Sequence, residues 1–193
     1  GVPESMEVLE EIIRANSDVV VIIDEAYVDF GGESVLPLLE KYDNLLVVQT
    51  FSKSRAMAGM RIGFAIGNEK LIGYLQDAKF SFNSYTMNMP TIEMGVEAVK
   101  DDAYFKEITG KIVATRERVK KEMTQLGFTF TDSKTNFLFA THKNVPAQQI
   151  FAALKENGIY VRYWNKPRID NYLRITIGTD EQMDAMLHFL RQY

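Results

Sequence analysis

Val19-Val20-Val21-Ile22-Ile23-Asp24-Glu25-Ala26-Tyr27 is the stretch on which the fold turns. Its β-branched run, unbroken from Val19 to Ile23, predicts a strand buried on both faces of a parallel sheet. The carboxyl end of that strand delivers an acid, Asp24, with Tyr27 three residues on. Upstream, Glu4 to Arg14 carries Met6, Leu9, Ile12 and Ile13 at helical spacing and ends at the polar turn Ala15-Asn16-Ser17-Asp18, which predicts a surface helix. Downstream, a Gly31-Gly32 loop and a short helix around Leu36–Lys41 lead to a second buried strand, Leu45–Thr50, which runs straight into Phe51-Ser52-Lys53-Ser54. A third strand, Ile62–Ile66, follows a turn containing Gly59. Helix, strand, loop, strand predicts an α/β domain whose ligands gather at strand ends.

Further along, Glu69–Phe80 reads as a helix, Ser81–Pro90 as a polar and aromatic loop, and Thr91 to about Leu126 as a long helical stretch weakened near Gly110. A domain boundary is expected inside that stretch, with residues 1–105 in one domain and 106–193 in the other. The second domain reads as α+β: strands at Phe128–Phe130, Phe137–Ala140, Ile159–Tyr163 and Leu173–Ile177, a helix over Ala147–Asn157 closed by Gly158, and a last helix over Glu181–Arg191.

Composition narrows the chemistry. With 46% hydrophobic residues in 193, the chain buries a real core. Its 26 acidic against 22 basic residues offer no general attraction to a polyphosphate backbone, so nucleic acid is not an expected partner. There is no cysteine, which excludes thiolate zinc sites and thiol nucleophiles, and His142 and His188 are the only imidazoles, so no metal is expected. No apolar run approaches the roughly 20 residues that cross a bilayer, and no basic-then-apolar leader opens the chain, so no membrane partner and a cytoplasmic location are expected.

Lys53 lies between a buried strand and a glycine-bearing turn. Its plain reading is a surface lysine with its stem on apolar atoms. Thr50, Ser52 and Ser54 place hydroxyls around it, Arg61 brings a fixed cation and Gly59 allows close backbone approach, which together form a set able to seat a phosphate beside an amine. Asp24 reads either as a helix cap or as a ligand contact at the sheet's carboxyl edge. Tyr27 reads either as a packed edge tyrosine or as a hydroxyl aimed at that ligand. In the second domain Arg162 ends one strand and Arg174 interrupts the apolar strand of Leu173, Ile175 and Ile177, so each faces water or an anion.

Three motifs in order, the strand with Asp24-Glu25-Ala26-Tyr27, then Thr50-Phe51-Ser52-Lys53-Ser54, then Ala58-Gly59-Met60-Arg61-Ile62-Gly63, resemble those of the fold-type I, class II aminotransferases. Val161-Arg162-Tyr163-Trp164-Asn165-Lys166-Pro167-Arg168 and Tyr172-Leu173-Arg174-Ile175-Thr176-Ile177-Gly178-Thr179 resemble the C-terminal signature of the histidinol-phosphate type. The resemblance implies the latter part of a large domain with a mostly parallel sheet plus a C-terminal α+β domain. It implies pyridoxal 5′-phosphate as cofactor, in Schiff-base linkage to Lys53. It places Asp24 at the pyridine nitrogen, Tyr27 at the phenolic oxygen, and Thr50, Ser52 and Arg61 at the cofactor phosphate. Arg174, with Arg162 as a second contact, would hold the phosphate or carboxylate of a small amino donor or phosphorylated keto substrate. The family also implies a homodimer, and its length implies that this chain is a C-terminal fragment, inactive or weak alone. A signal upstream of it would then go unseen. Related decarboxylases, aromatic aminotransferases and non-catalytic aminotransferase-like regulators share the motifs and stay open as alternatives.

Overall fold

The hydroxyl of Ser5 accepts the amide hydrogen of Val8 and so opens α1 (Met6–Ala15) in the computed structural model, which describes all of residues 1–193. The helix buries Ile13 and stops where Asn16 folds its side-chain amide back onto the Ile12 carbonyl. Three strands follow, β1 (Val21–Asp24), β2 (Leu45–Thr50) and β3 (Gly63–Gly67), in the order β1-β2-β3. β1 runs parallel to β2 with Val21 opposite Leu45 and Asp24 opposite Val48, whereas β3 is antiparallel, with Gly63 opposite Thr50. The connection from β2 to β3 is a tight turn and the 3₁₀ turn Ala58–Met60, with no crossover helix to carry the chain back to a parallel start. The sheet is therefore mixed.

Ile13, Val35, Leu38, Leu45 and Val47 form the core of this unit, with α1 and the 3₁₀ turn Leu36–Glu40 on one face of the sheet. The expectation of a β1 buried on both faces fails. β1 alternates between half-buried and exposed positions, and Ile22 is 59% exposed, because β1 is an edge strand covered on one side alone. Two helices follow, α2 (Glu69–Phe82) and α3 (Met89–Lys100), with Phe82 and Tyr85 between and beside them 94% and 92% exposed. So much bare apolar surface predicts that the 193-residue chain self-associates and binds a hydrophobic dye. Light scattering behind gel filtration that finds a monodisperse monomer with no dye fluorescence would contradict this.

The long helical stretch breaks at Asp101 and not near Gly110. Asp101 closes α3 through its own amide, and its carboxylate accepts the amide hydrogen of Tyr104 to open α4 (Asp102–Gln125), while Gly110 sits inside α4 without interrupting it. A glycine in a helix interior costs about 1 kcal/mol, which a long helix anchored by buried Val119 and Met123 tolerates. The chain's internal contacts divide it into two compact units, Glu4–Ile108 and Thr109–Tyr193, the latter joined by Gly1–Pro3.

In the second unit, β4 (Phe128–Phe130), β5 (Phe137–His142), β6 (Arg162–Tyr163) and β7 (Leu173–Thr176) form an antiparallel sheet in the order β4-β5-β7-β6. β6 is far shorter than the strand expected over Ile159–Tyr163. Leu138, Ala140, Leu173 and Ile175 point to a core shared with α4, α5 (Ala147–Glu156) and α6 (Asp180–Gln192). Thr179 and Gln182 cap α6 reciprocally. Before β4, Gly127 has φ 88°, and a side chain there would meet Lys143 and His142. His142 is structural: Nδ1 accepts from the Val145 amide at 3.0 Å, so Nε2 carries the hydrogen and donates to the Leu126 carbonyl at 2.9 Å. No helix of the chain is long and apolar enough to cross a membrane.

α4 and α6 are joined by ion pairs centred on Arg118, which meets Asp180 at 2.8 Å, Asp184 at 2.7 Å and Glu122 at 2.9 Å. The Arg118 hydrogen bond, with Thr115 behind it, holds the Asp180 carboxyl below its ordinary value, and Lys120 does the same for Asp132. Depressed carboxyls bind fewer protons folded than unfolded, so their contribution is complete above about pH 5 and is lost as pH falls below about 4. The urea midpoint of the second unit should be flat from neutral pH to about 5 and then drop, and Arg118→Met should shrink that drop. An unchanged acid limb in the variant would show that these pairs contribute nothing.

Candidate active site

Because β1 and β2 are parallel, their carboxyl ends open on the same edge of the sheet, and antiparallel β3 begins at that edge, opposite Thr50. Asp24 to Tyr27, Thr50 to Lys53, and Arg61 are thereby delivered to one place by three separate segments. Asp24 is exposed. One of its oxygens accepts the Ala26 amide at 3.0 Å, and the other is uncommitted. Half-buried Tyr27 leads into the 3₁₀ turn Val28–Phe30, and the Lys53 amine lies 5.5 Å from the centre of its ring. That amine takes part in no hydrogen bond or ion pair.

The Thr50 hydroxyl donates to the Ile62 carbonyl at 3.2 Å and accepts the Ser52 amide at 3.0 Å, which commits its proton to the turn. Arg61 is exposed, holds the left-handed conformation at φ 58° and donates to the Ala58 carbonyl at 2.8 Å. A non-glycine residue there costs on the order of 1 kcal/mol and persists where the surroundings demand it.

Sequence reading overlooked the residue that holds this edge together. Glu25, 7% exposed, accepts from the Ser34 hydroxyl at 2.8 Å, the Val35 amide at 2.7 Å and the Gln49 amide group at 2.8 Å. A buried carboxylate satisfied by three donors welds the end of β1 to β2 and to the following loop. Its partners lie far away in sequence and carry no motif, so nothing in the chain announces them.

In the second unit Arg162 and Arg174 are direct partners across β6 and β7, and so share the face opposite the core, with Phe139 next in the row. The Arg174 guanidinium stands 4.1 Å from the Phe137 ring and that of Arg162 stands 5.3 Å from the Trp164 ring. Like charges directly opposite in a ladder are unfavourable, and an anion placed between them reverses the sign. At the residue before β5 the side-chain oxygen of Asn136 is buried without a hydrogen-bond partner, an acceptor that lacks its donor. No cluster of metal-ligating side chains is present.

Residues 3–190 match the family model of aminotransferase class I and II. The histidinol-phosphate aminotransferase of Brachyspira hyodysenteriae is 53% identical over 99% of this chain and 54% of its own length. That of Lactococcus lactis subsp. cremoris is 52% identical over the whole chain and 54% of its own length. The chain thus spans about half the length of these curated relatives. Among solved structures, the histidinol-phosphate aminotransferase of Sinorhizobium meliloti in complex with pyridoxal-5′-phosphate superposes with a TM-score of 0.85 at 25% identity, covering 100% of this chain and 54% of that one. A family model matched over nearly the full chain and relatives above half identity agree, and the chain belongs to the class I and II aminotransferase family.

Proposed function

We propose that this chain is the C-terminal part of a cytoplasmic, homodimeric enzyme that uses pyridoxal 5′-phosphate to exchange an amino group between L-histidinol phosphate or imidazole-acetol phosphate and glutamate or 2-oxoglutarate, in histidine biosynthesis. The observation that carries this is Lys53, an amine without an ionic partner held over an aromatic ring at the carboxyl edge of a sheet. The donor set fits the cofactor in kind: an amine for its aldehyde, an acid with one open oxygen for its ring nitrogen, a phenol for its phenolic oxygen, and a serine and an arginine for its phosphate. Asp24, Tyr27, Ser52 and Arg61 take those roles, and Thr50 joins them by turning its hydroxyl away from the Ile62 carbonyl.

When bound, pyridoxal phosphate supplies an electron-withdrawing ring that stabilises negative charge at the substrate α-carbon. Asp24, with one carboxylate oxygen uncommitted, would pair with the ring nitrogen and favour its protonated form. The Lys53 amine, once free, would take the α-proton of the amino donor and hold it for redelivery. Arg174, assisted by Arg162, grips the substrate's phosphate or carboxylate, which suits a bidentate guanidinium. Since the chain spans half of its relatives, the 193 residues alone are expected to be inactive or weak.

Borohydride reduction of the intact protein with pyridoxal phosphate, followed by digestion and mass spectrometry, is expected to find the pyridoxyl group on Lys53. Histidinol phosphate should then outcompete phenylalanine as amino donor, and threonine phosphate should release no carbon dioxide. An unlabelled Lys53 would remove the centre of the reading.

A further inference from the structure

Lys53 is followed by a turn that the proposed chemistry does not explain. Ala56 has φ 55°, a conformation that costs a residue with a side chain on the order of 1 kcal/mol, and its amide closes the turn on the Lys53 carbonyl at 3.1 Å. Strain of this kind survives where neighbours hold it, and two ties do so. Ser54, 1% exposed, donates its hydroxyl to the Asp29 carboxylate at 2.5 Å. Arg55 donates to the Ala98 carbonyl, in the last turn of α3 where helix carbonyls lack partners, and stacks 4.2 Å from the Phe105 ring at the start of α4.

Asp29 stands in the 3₁₀ turn that directly follows Tyr27, so the Ser54 bond joins the turn bearing the amine to the turn bearing the phenol. We propose that Ser54 and Asp29 are positioning residues, whose bond sets the distance between the Lys53 amine and the Tyr27 ring and so prepares the amine for an aldehyde. This rests on the functional reading above as far as the aldehyde is the cofactor's, while the tie itself stands on geometry alone.

The test compares the intact protein with its Ser54→Ala, Asp29→Ala and Asp29→Asn variants, the last keeping an oxygen that accepts the Ser54 hydrogen. Two quantities are read: hydrogen exchange of the amides from Phe51 to Met57, without cofactor, and pyridoxyl label on Lys53 after limiting pyridoxal phosphate and borohydride. Ser54→Ala and Asp29→Ala are expected to speed exchange in the turn about tenfold, as loss of one charge-assisted bond implies, and to lower the label by a similar factor. Asp29→Asn should keep most of both, with thermal midpoints nearly unchanged. Exchange and labelling like the parent chain's in Ser54→Ala would overturn the inference, as would Asp29→Asn behaving like Asp29→Ala. If exchange responds while Lys53 is unlabelled even in the parent, the tie stands and the cofactor reading falls.

Discussion

Lys53→Arg in the intact protein is expected to abolish the pyridoxyl label and lower amino-group transfer by about 10⁴-fold or more, with the fold unchanged. Arginine keeps the charge and reach of the side chain, so electrostatics and packing at the sheet edge are preserved. What disappears is a nitrogen that can lose its proton, since a guanidinium stays protonated at every accessible pH and neither attacks an aldehyde nor accepts an α-proton. The geometry sharpens the expectation, because the Lys53 amine has no ionic partner and its loss therefore breaks no ion pair that stabilises the fold. Single-turnover transfer from glutamate, with circular dichroism as control, makes the comparison. Residual transfer within tenfold of the parent, or label on another lysine, would move the chemistry elsewhere.

Arg116→Ala is expected to destabilise the second unit by about 3–5 kcal/mol, the usual cost of dismantling a buried charged network. Arg116 is 1% exposed on α4, with Nη1 donating to the Thr135 carbonyl at 2.9 Å and Nε to the Glu117 carboxylate at 3.0 Å. Thr135 lies in the short loop that opens β5, where the Ser133 hydroxyl donates to the Phe137 carbonyl at 2.7 Å and accepts from the Thr135 hydroxyl at 3.0 Å. Truncation leaves a buried carbonyl without its donor and a void the size of the side chain. Urea denaturation followed by tyrosine and tryptophan fluorescence should show a lower midpoint with a similar slope. A loss below about 1 kcal/mol would mean that the loop finds other donors.

The stretches legible in the chain were those in which a local pattern and a tertiary role coincide. The run before Asp24 is a strand because β-branched residues favour extended backbone, and it ends at an acid because the sheet ends there. Leu45–Thr50 matches β2 residue for residue. The helix boundaries near Ser5, Thr179 and Gly158 follow from side chains and backbone conformations that act within one turn. The stretch expected to be weakened near Gly110 is interrupted instead at Asp101, where a capping carboxylate opens a new helix that carries the interior glycine at modest cost. Neither the antiparallel course of β3 nor the one-sided burial of β1 was legible, since both depend on what lies across the sheet.

The same division runs through the site. The candidates Asp24, Tyr27, Thr50, Ser52, Lys53 and Arg61 in the first unit, and Arg162 and Arg174 in the second, were named from local motifs, because a motif is local and its chemistry is carried by residue type. Glu25 with Ser34 and Gln49, Ser54 with Asp29, Arg55 with the Ala98 carbonyl, and Arg116 with the Thr135 carbonyl became visible in three dimensions alone. The sequence by itself determined which groups are available for chemistry and which strands carry them. The tertiary structure decided which of those groups are held, and by what, because hydrogen bonds between segments distant in the chain form on burial and leave no periodic trace in the order of residues.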